Sequence, residues 1–134
     1  MSGNCATGSA PRAITPAIEI TTEMTIASRG RWIKTEEIIR RWGPVLERHR
    51  VALVLNGHDH NYQRFVSTAG VSYVVTGGGG RQLYPVAPCP AGTPRRVAGV
   101  ARNHFTAVEV RRRSLTVQAV ATDGTVIDRA VIRR

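Results

Sequence analysis

Five consecutive apolar, mostly branched residues, Val51 to Leu55, run without a break into Asn56-Gly57-His58-Asp59-His60-Asn61-Tyr62-Gln63-Arg64. A run this short and apolar at every position reads as a strand buried on both faces. Its sheet therefore needs cover on both sides. The polar segment after it reads as a loop at the carboxyl end of that strand, where ligands commonly gather. A second apolar strand follows at Val71 to Thr76, and Gly77 to Gly80 end it with four glycines.

The segment before the first strand changes period. Ile38, Ile39, Trp42, Val45 and Leu46 fall on one face of a helix, with Thr35 as the expected N-cap and Glu36 and Glu37 at the positive end. Gly43-Pro44 predicts a kink near Trp42 or a restart of the helix. Arg48, His49 and Arg50 close it with positive charge. Trp32 and Trp42 read as core anchors.

Residues 1 to 30 form an unassigned lead-in whose Ile and Met spacing of mostly two suits a strand, against which Pro11 and Pro16 argue for an edge or an irregular path. Residues 81 to 103, with Pro85, Pro88, Pro90 and Pro94, read as one long irregular loop. Three strands are then expected, Phe105 to Val110, Leu115 to Ala121 and Val126 to Ile132. Arg111 to Ser114 and the Asp123-Gly124 turn separate them, which gives an antiparallel meander.

Charge bounds the partners. Of 134 residues, 19 are Lys or Arg and 9 Asp or Glu, so the net charge is +10, and every cation but Lys34 is an arginine. That balance favours anionic partners such as phosphorylated molecules or nucleic acid. The arginines are spread from Arg12 to Arg134, and aromatic residues are 5% of the chain, so a solvated basic surface is expected rather than a specific nucleic-acid interface. No segment approaches the roughly 18 apolar residues of a membrane span, and the first residues lack the apolar middle of a signal peptide, so no membrane partner is expected and the chain as written reads as cytoplasmic. Cys5 and Cys89 have no partner at zinc-type spacing and read as free thiols, with one disulfide as the alternative.

Of the four histidines, only His58 and His60 share a local constellation. On an extended segment, side chains at i and i+2 point the same way, so both imidazoles are expected to face one site. Gly57 lets the backbone approach without a Cβ. A bare His-x-His is weak. An apolar strand, Gly, His-x-His, an amide, an aromatic and Arg64 together form a stronger composite.

VALVLNGHDHNYQRF, followed by GVSYVVTGGGG, NHFTAVEV and LTVQAVATDGTVID, resembles the calcineurin-like metallophosphoesterases, in particular their purple acid phosphatase-like branch. The resemblance covers residues 31 to 134. It implies an α/β chain, the C-terminal part of a layered β-sandwich flanked by helices and ending in the meander. It also implies phosphatase-type hydrolysis of phosphoric esters at a binuclear centre of divalent or trivalent transition metals, Fe, Zn or Mn. By that resemblance His58 and His60 are catalytic as metal ligands, one to each ion. Gly78, Gly79 and His104 lie near the substrate, and Asn56, Gly57, Asp59, Tyr62 and Arg64 support the site. Two-metal hydrolysis needs ions about 3.5–4 Å apart, which two imidazoles two residues apart suit.

The family's upstream Asp and Asn-His motifs have no counterpart before His58, and the three aspartates are Asp59, Asp123 and Asp128. The expectation is a fragment with at most two of the ligands, holding at most one ion weakly. Its partners would be a phosphate ester and either a missing N-terminal half or further copies of itself; enzymes of the family it resembles are often exported, and any export signal of the parent would lie in that missing upstream part. The alternative is a non-catalytic basic module that binds polyanions or a partner chain.

Overall fold

The computed structural model describes residues 18–19, 33–88 and 94–133. Trp32, Cys5, Cys89 and most of the lead-in lie outside them. The described elements are β1 (Ile18–Glu19), α1 (Ile33–Arg48), β2 (Leu53–Asn56), β3 (Tyr62–Val66), β4 (Ser72–Thr76), β5 (Arg95–Val100), β6 (His104–Arg111), β7 (Ser114–Ala121) and β8 (Val126–Arg133). The first five strands form one sheet in the order β1-β2-β4-β3-β5, and the last three form the expected antiparallel meander.

β2 is parallel to β1 and β4, whereas β3 is antiparallel to both its neighbours. Its apolar run is explained by cover on both faces. Val54, with Val51 and Val71, packs toward Leu46 of α1, while Leu53 packs with Tyr62, Val74 and the β7 residues Leu115, Val117 and Ala119. Along β7 alternate residues are buried, the period of two expected of a strand with one face in the core. The result is a helix, a mixed sheet and an antiparallel sheet in three layers. The fold is α/β, a partial layered β-sandwich with a helix against it. Among the described residues no helix is long and apolar enough to cross a membrane.

Several expectations are corrected. The helix starts at Ile33, so Thr35 lies inside it, and it runs through Pro44 without a restart. Pro44 removes one N–H, a loss confined to a single turn because the chain on both sides stays helical. Trp42 is 49% exposed and anchors nothing in the described core. The polar segment after β2 becomes strand at Tyr62, and the long Pro-rich loop contains β5.

The end of α1 has a defined chemistry. The Val51 N–H donates to Leu46 C=O at 2.9 Å and the Arg50 N–H to Glu47 C=O at 2.9 Å, with Arg50 at φ 53°. This is the Schellman arrangement, with Leu46 and Val51 in apolar contact beneath it, and it places a non-glycine residue in the left-handed region. Arg50→Gly is therefore expected to raise stability by about 1 kcal/mol, the left-handed penalty less the extra chain entropy of glycine. Urea denaturation of the two proteins checks it, and a loss of stability would refute it.

Candidate functional site

The order β2-β4-β3 determines how the His-x-His segment lies. The chain leaves β2, passes over the end of β4 and enters β3 on its far side, so residues 57–61 straddle the carboxyl ends of β2 and β4. The backbone of that bridge rests on Gly77, just past β4. A Cβ at Gly77 would stand 2.1 Å from the Asp59 carbonyl oxygen, so close approach, rather than a turn, demands glycine there. Gly78 is similarly pressed on the His104 ring and the Arg102 carbonyl, whereas Gly79 has open space around it.

The bridge is not extended, and the premise that His58 and His60 point alike as residues of one strand does not hold. The Asp59 N–H donates back to Gly57 C=O at 3.1 Å around His58, whose φ is 75°, and the Asn61 N–H donates to Asp59 C=O at 2.7 Å around His60. Each histidine thus sits at the centre of a three-residue turn. The turn at His58 has the positive φ of the rare, strained γ form. His58 is exposed and His60 half-buried.

His60 is held from outside the segment. Its Nδ1 lies 2.7 Å from Gln82 C=O, and its ring stacks on Tyr84 at 4.3 Å between centroids, 19° from parallel. Asp59, between the histidines, is 7% exposed, and no hydrogen bond to its carboxylate is found among the described residues. Burial pushes that carboxyl above its ordinary value, against the pull of His58 and His60. It orients the loop through its backbone carbonyl. Asn56 is at the end of β2, its amide near Gly57 C=O, and Gly57 is exposed with room for a Cβ.

His104 is the first residue of β6, one residue before the expected start of that strand, and it is 5% exposed. Its Nδ1 faces Arg102 C=O at 2.8 Å, an acceptor only, so Nδ1 carries the proton and Nε2 accepts from the Thr76 hydroxyl at 3.1 Å. Thr106 donates in turn to Thr76 at 2.8 Å. Both ring nitrogens are thereby used, which leaves none for a phosphate. This ring and that of Tyr62 meet nearly at right angles, with centroids 5.4 Å apart.

Tyr62 and Arg64 tie the two sheets together. The Tyr62 hydroxyl donates to Asp128 Oδ2 at 2.7 Å, and Arg64 donates through Nε at 2.6 Å to Oδ2 and through a terminal nitrogen at 3.1 Å to Oδ1. Burial and the Asp128 carboxylate push the Tyr62 phenol well above its usual value, so it stays a donor. Both residues face the interior between sheets.

Among the described residues no group of three or more His, Cys, Asp or Glu is placed to hold a metal ion. The donor chemistry at His58 and His60 suits a transition ion, since imidazole nitrogen is a common ligand, but two imidazoles fill only part of a shell. Gln82 and Tyr84 escape a reading of the sequence. Gln82 acts through its carbonyl, which no side chain advertises, and the only signal at Tyr84 is that it is the sole aromatic residue in the stretch 81–94.

No family model matches the chain, and a comparison with curated proteins gives no match. Solved structures do match. GAP50, the anchor in the inner membrane complex of Plasmodium, overlays with a TM-score of 0.64 at 16% identity over 73% of this chain and 30% of its own. The purple acid phosphatase PPD1 from yellow lupin (Lupinus luteus) seeds overlays with a TM-score of 0.61 at 23% identity over 69% of this chain and 19% of its own. The chain thus spans less than a third of the length of either, and what it shares with them is a metallophosphoesterase-like fold.

Proposed function

We propose that the chain forms part of a metal-dependent phosphoesterase, with His58 and His60 as nitrogen donors to transition-metal ions and a phosphoric ester as substrate. The observation that carries this reading is the backbone of His58. An exposed side chain is kept at a positive φ costing on the order of 1–3 kcal/mol without the helix cap that accounts for Arg50, and strain of that kind clusters at functional sites. A bound transition ion would supply Lewis-acid stabilisation of charge on the phosphoryl group. The remaining donors, in this reading, come from polypeptide other than the described residues. Gly79, exposed and open, leaves room for the ester to approach.

The whole chain is expected to take up about one Zn²⁺, weakly, because two imidazoles fill only part of a shell, as read by elemental analysis after gel filtration. His58→Gly should lower that uptake while raising stability by about 1 kcal/mol, because glycine adopts the turn without strain. His60→Ala should lower uptake without the gain in stability. Unchanged metal content in both variants would overturn the reading.

A second reading, polyanion binding, draws on the meander. The β6–β7 turn exposes Arg111, Arg112 and Arg113, and the register Arg111↔Ser114↔Arg133 sets Arg133 beside them. Glu109 pairs with Arg111 at 2.7 Å and offsets one of the four charges. Such a cluster favours salt-dependent, sequence-independent attraction to phosphates.

A further inference from the structure

The segment from Gln82 to Ala87 is tied to the sheet at both ends, and its first half is tied to His60. At that end His60 Nδ1 meets Gln82 C=O at 2.7 Å, Tyr84 N–H donates to His60 C=O at 3.0 Å, and the two rings stack. At the other end Arg96 donates to Ala87 C=O at 2.7 Å, and the Val86 side chain lies against Gly99 of β5. A chain of side-chain hydrogen bonds joins the two ends beneath the strap. Arg96 donates to Gln63 Oε1 at 3.2 Å, Gln63 Nε2 to Asn61 Oδ1 at 3.1 Å, and Asn61 Nδ2 to Tyr84 C=O at 3.3 Å.

The direction of every bond in that chain is fixed. A guanidinium only donates, so Gln63 must turn its oxygen to Arg96 and its nitrogen to Asn61, and Asn61 must then offer its nitrogen to Tyr84. Gln63 and Asn61 are buried, where an unmet polar group is costly, so the chain resists reversal. The strap's carbonyl row is thereby aimed. Because Gln82 C=O can only accept, the proton of neutral His60 is held on Nδ1, and Nε2 keeps its lone pair.

We infer that Gln82–Ala87 is a positioning strap, in which Tyr84 and, from a distance, Arg96 hold His60 in the Nδ1-H tautomer and present Nε2 as a ready donor. Tyr84 and Arg96 are positioning residues. Neither their sequence neighbourhood nor the His-x-His motif suggests the role. The inference rests on the proposed donor role of His60 only for its purpose; the tautomer is a property of the chain by itself.

The test is long-range ¹H–¹⁵N correlation of the His60 ring in the whole chain, at a pH where the ring is neutral, beside Co²⁺ titration followed by absorption. The wild type should show protonated Nδ1 and bare Nε2. Tyr84→Ala should shift both nitrogens toward values averaged over the two tautomers and weaken Co²⁺ binding by about 10- to 100-fold, the usual loss when an orienting partner of a ligand is removed. Tyr84→Phe keeps the stack and should restore wild-type ring shifts. Arg96→Ala should move the same shifts in the same direction, more weakly. A wild-type ring with its proton on Nε2, or shifts left at wild-type values in both Tyr84→Ala and Arg96→Ala, overturns the strap. Expected ring shifts in a chain that takes up no Co²⁺ support the strap and overturn the metal reading instead.

Discussion

Gly77→Ala is expected to destabilise the chain by at least about 3 kcal/mol, a large part of what a domain this size has. The added Cβ would meet the Asp59 carbonyl oxygen at 2.1 Å and the Asp59 carbonyl carbon at 2.8 Å. Both are backbone atoms, so no rotamer change relieves the overlap. Either the bridge of residues 57–61 or the end of β4 must move by about 1 Å, within a close-packed region that does not yield that far without losing contacts. The move would also break the bond from Gly77 N–H to Asn61 C=O, at 3.2 Å. Gly79→Ala has nothing near its Cβ and should change stability by no more than about 0.5 kcal/mol. Urea denaturation of the three proteins separates the two glycines. A Gly77→Ala midpoint equal to that of the wild type would mean that the bridge does not rest on β4 as described.

Gly77 also shows where the sequence was legible and where it was not. Four glycines after an apolar strand are evident in the sequence, but which of them the fold requires is not. The actual cause at Gly77 is a crossing by the bridge from β2 to β3, which depends on β4 lying between those two strands. Strand order is not written in local periodicity. By contrast β7, with Leu115, Val117, Ala119 and Ala121 inward, and the Asp123-Gly124 turn, where Gly124 takes φ 83°, are local patterns that the sequence displays directly.

β3 is not legible in the sequence, for the same non-local reason. Gln63 and Arg64 look like loop residues, yet each is satisfied by a partner distant in sequence, Arg96 for one and Asp128 for the other. β5 was hidden because its residues are half-buried or exposed, with no alternation to betray a strand. At the candidate site, the identity of His58 and His60 was visible as a motif. Their geometry was not, because two successive three-residue turns replace the extended backbone that the spacing suggested. The strap that holds His60 comes from residues more than twenty positions away and acts mostly through carbonyls.

Asp128→Ala should cost about 3 kcal/mol, because it removes the carboxylate that holds two interior donors. The Arg64 and Asp128 side chains are 15% and 12% exposed, and the Tyr62 residue is fully buried. Without Asp128 the guanidinium keeps its charge in a poorly hydrated place and the phenol hydroxyl loses its acceptor. The attraction matters less than the orphaned groups it leaves. Replacing all three together, Tyr62→Phe, Arg64→Met and Asp128→Leu, should therefore cost less than Asp128→Ala alone. The same carboxylate predicts a pH dependence. Burial raises the Asp128 carboxyl, but the bonds from Arg64 and Tyr62 outweigh burial and hold it below its ordinary value. A carboxyl depressed in the folded state adds stability that is complete above its unfolded value, near pH 4, and is lost as pH falls through the folded value. Wild type and Asp128→Ala should accordingly differ most at neutral pH and converge in acid below about pH 4. Urea midpoints measured from pH 7 down to pH 3 read both effects. A constant gap across that range, or a gap under about 1 kcal/mol at pH 7, would show that the carboxylate is not what joins β3 to β8.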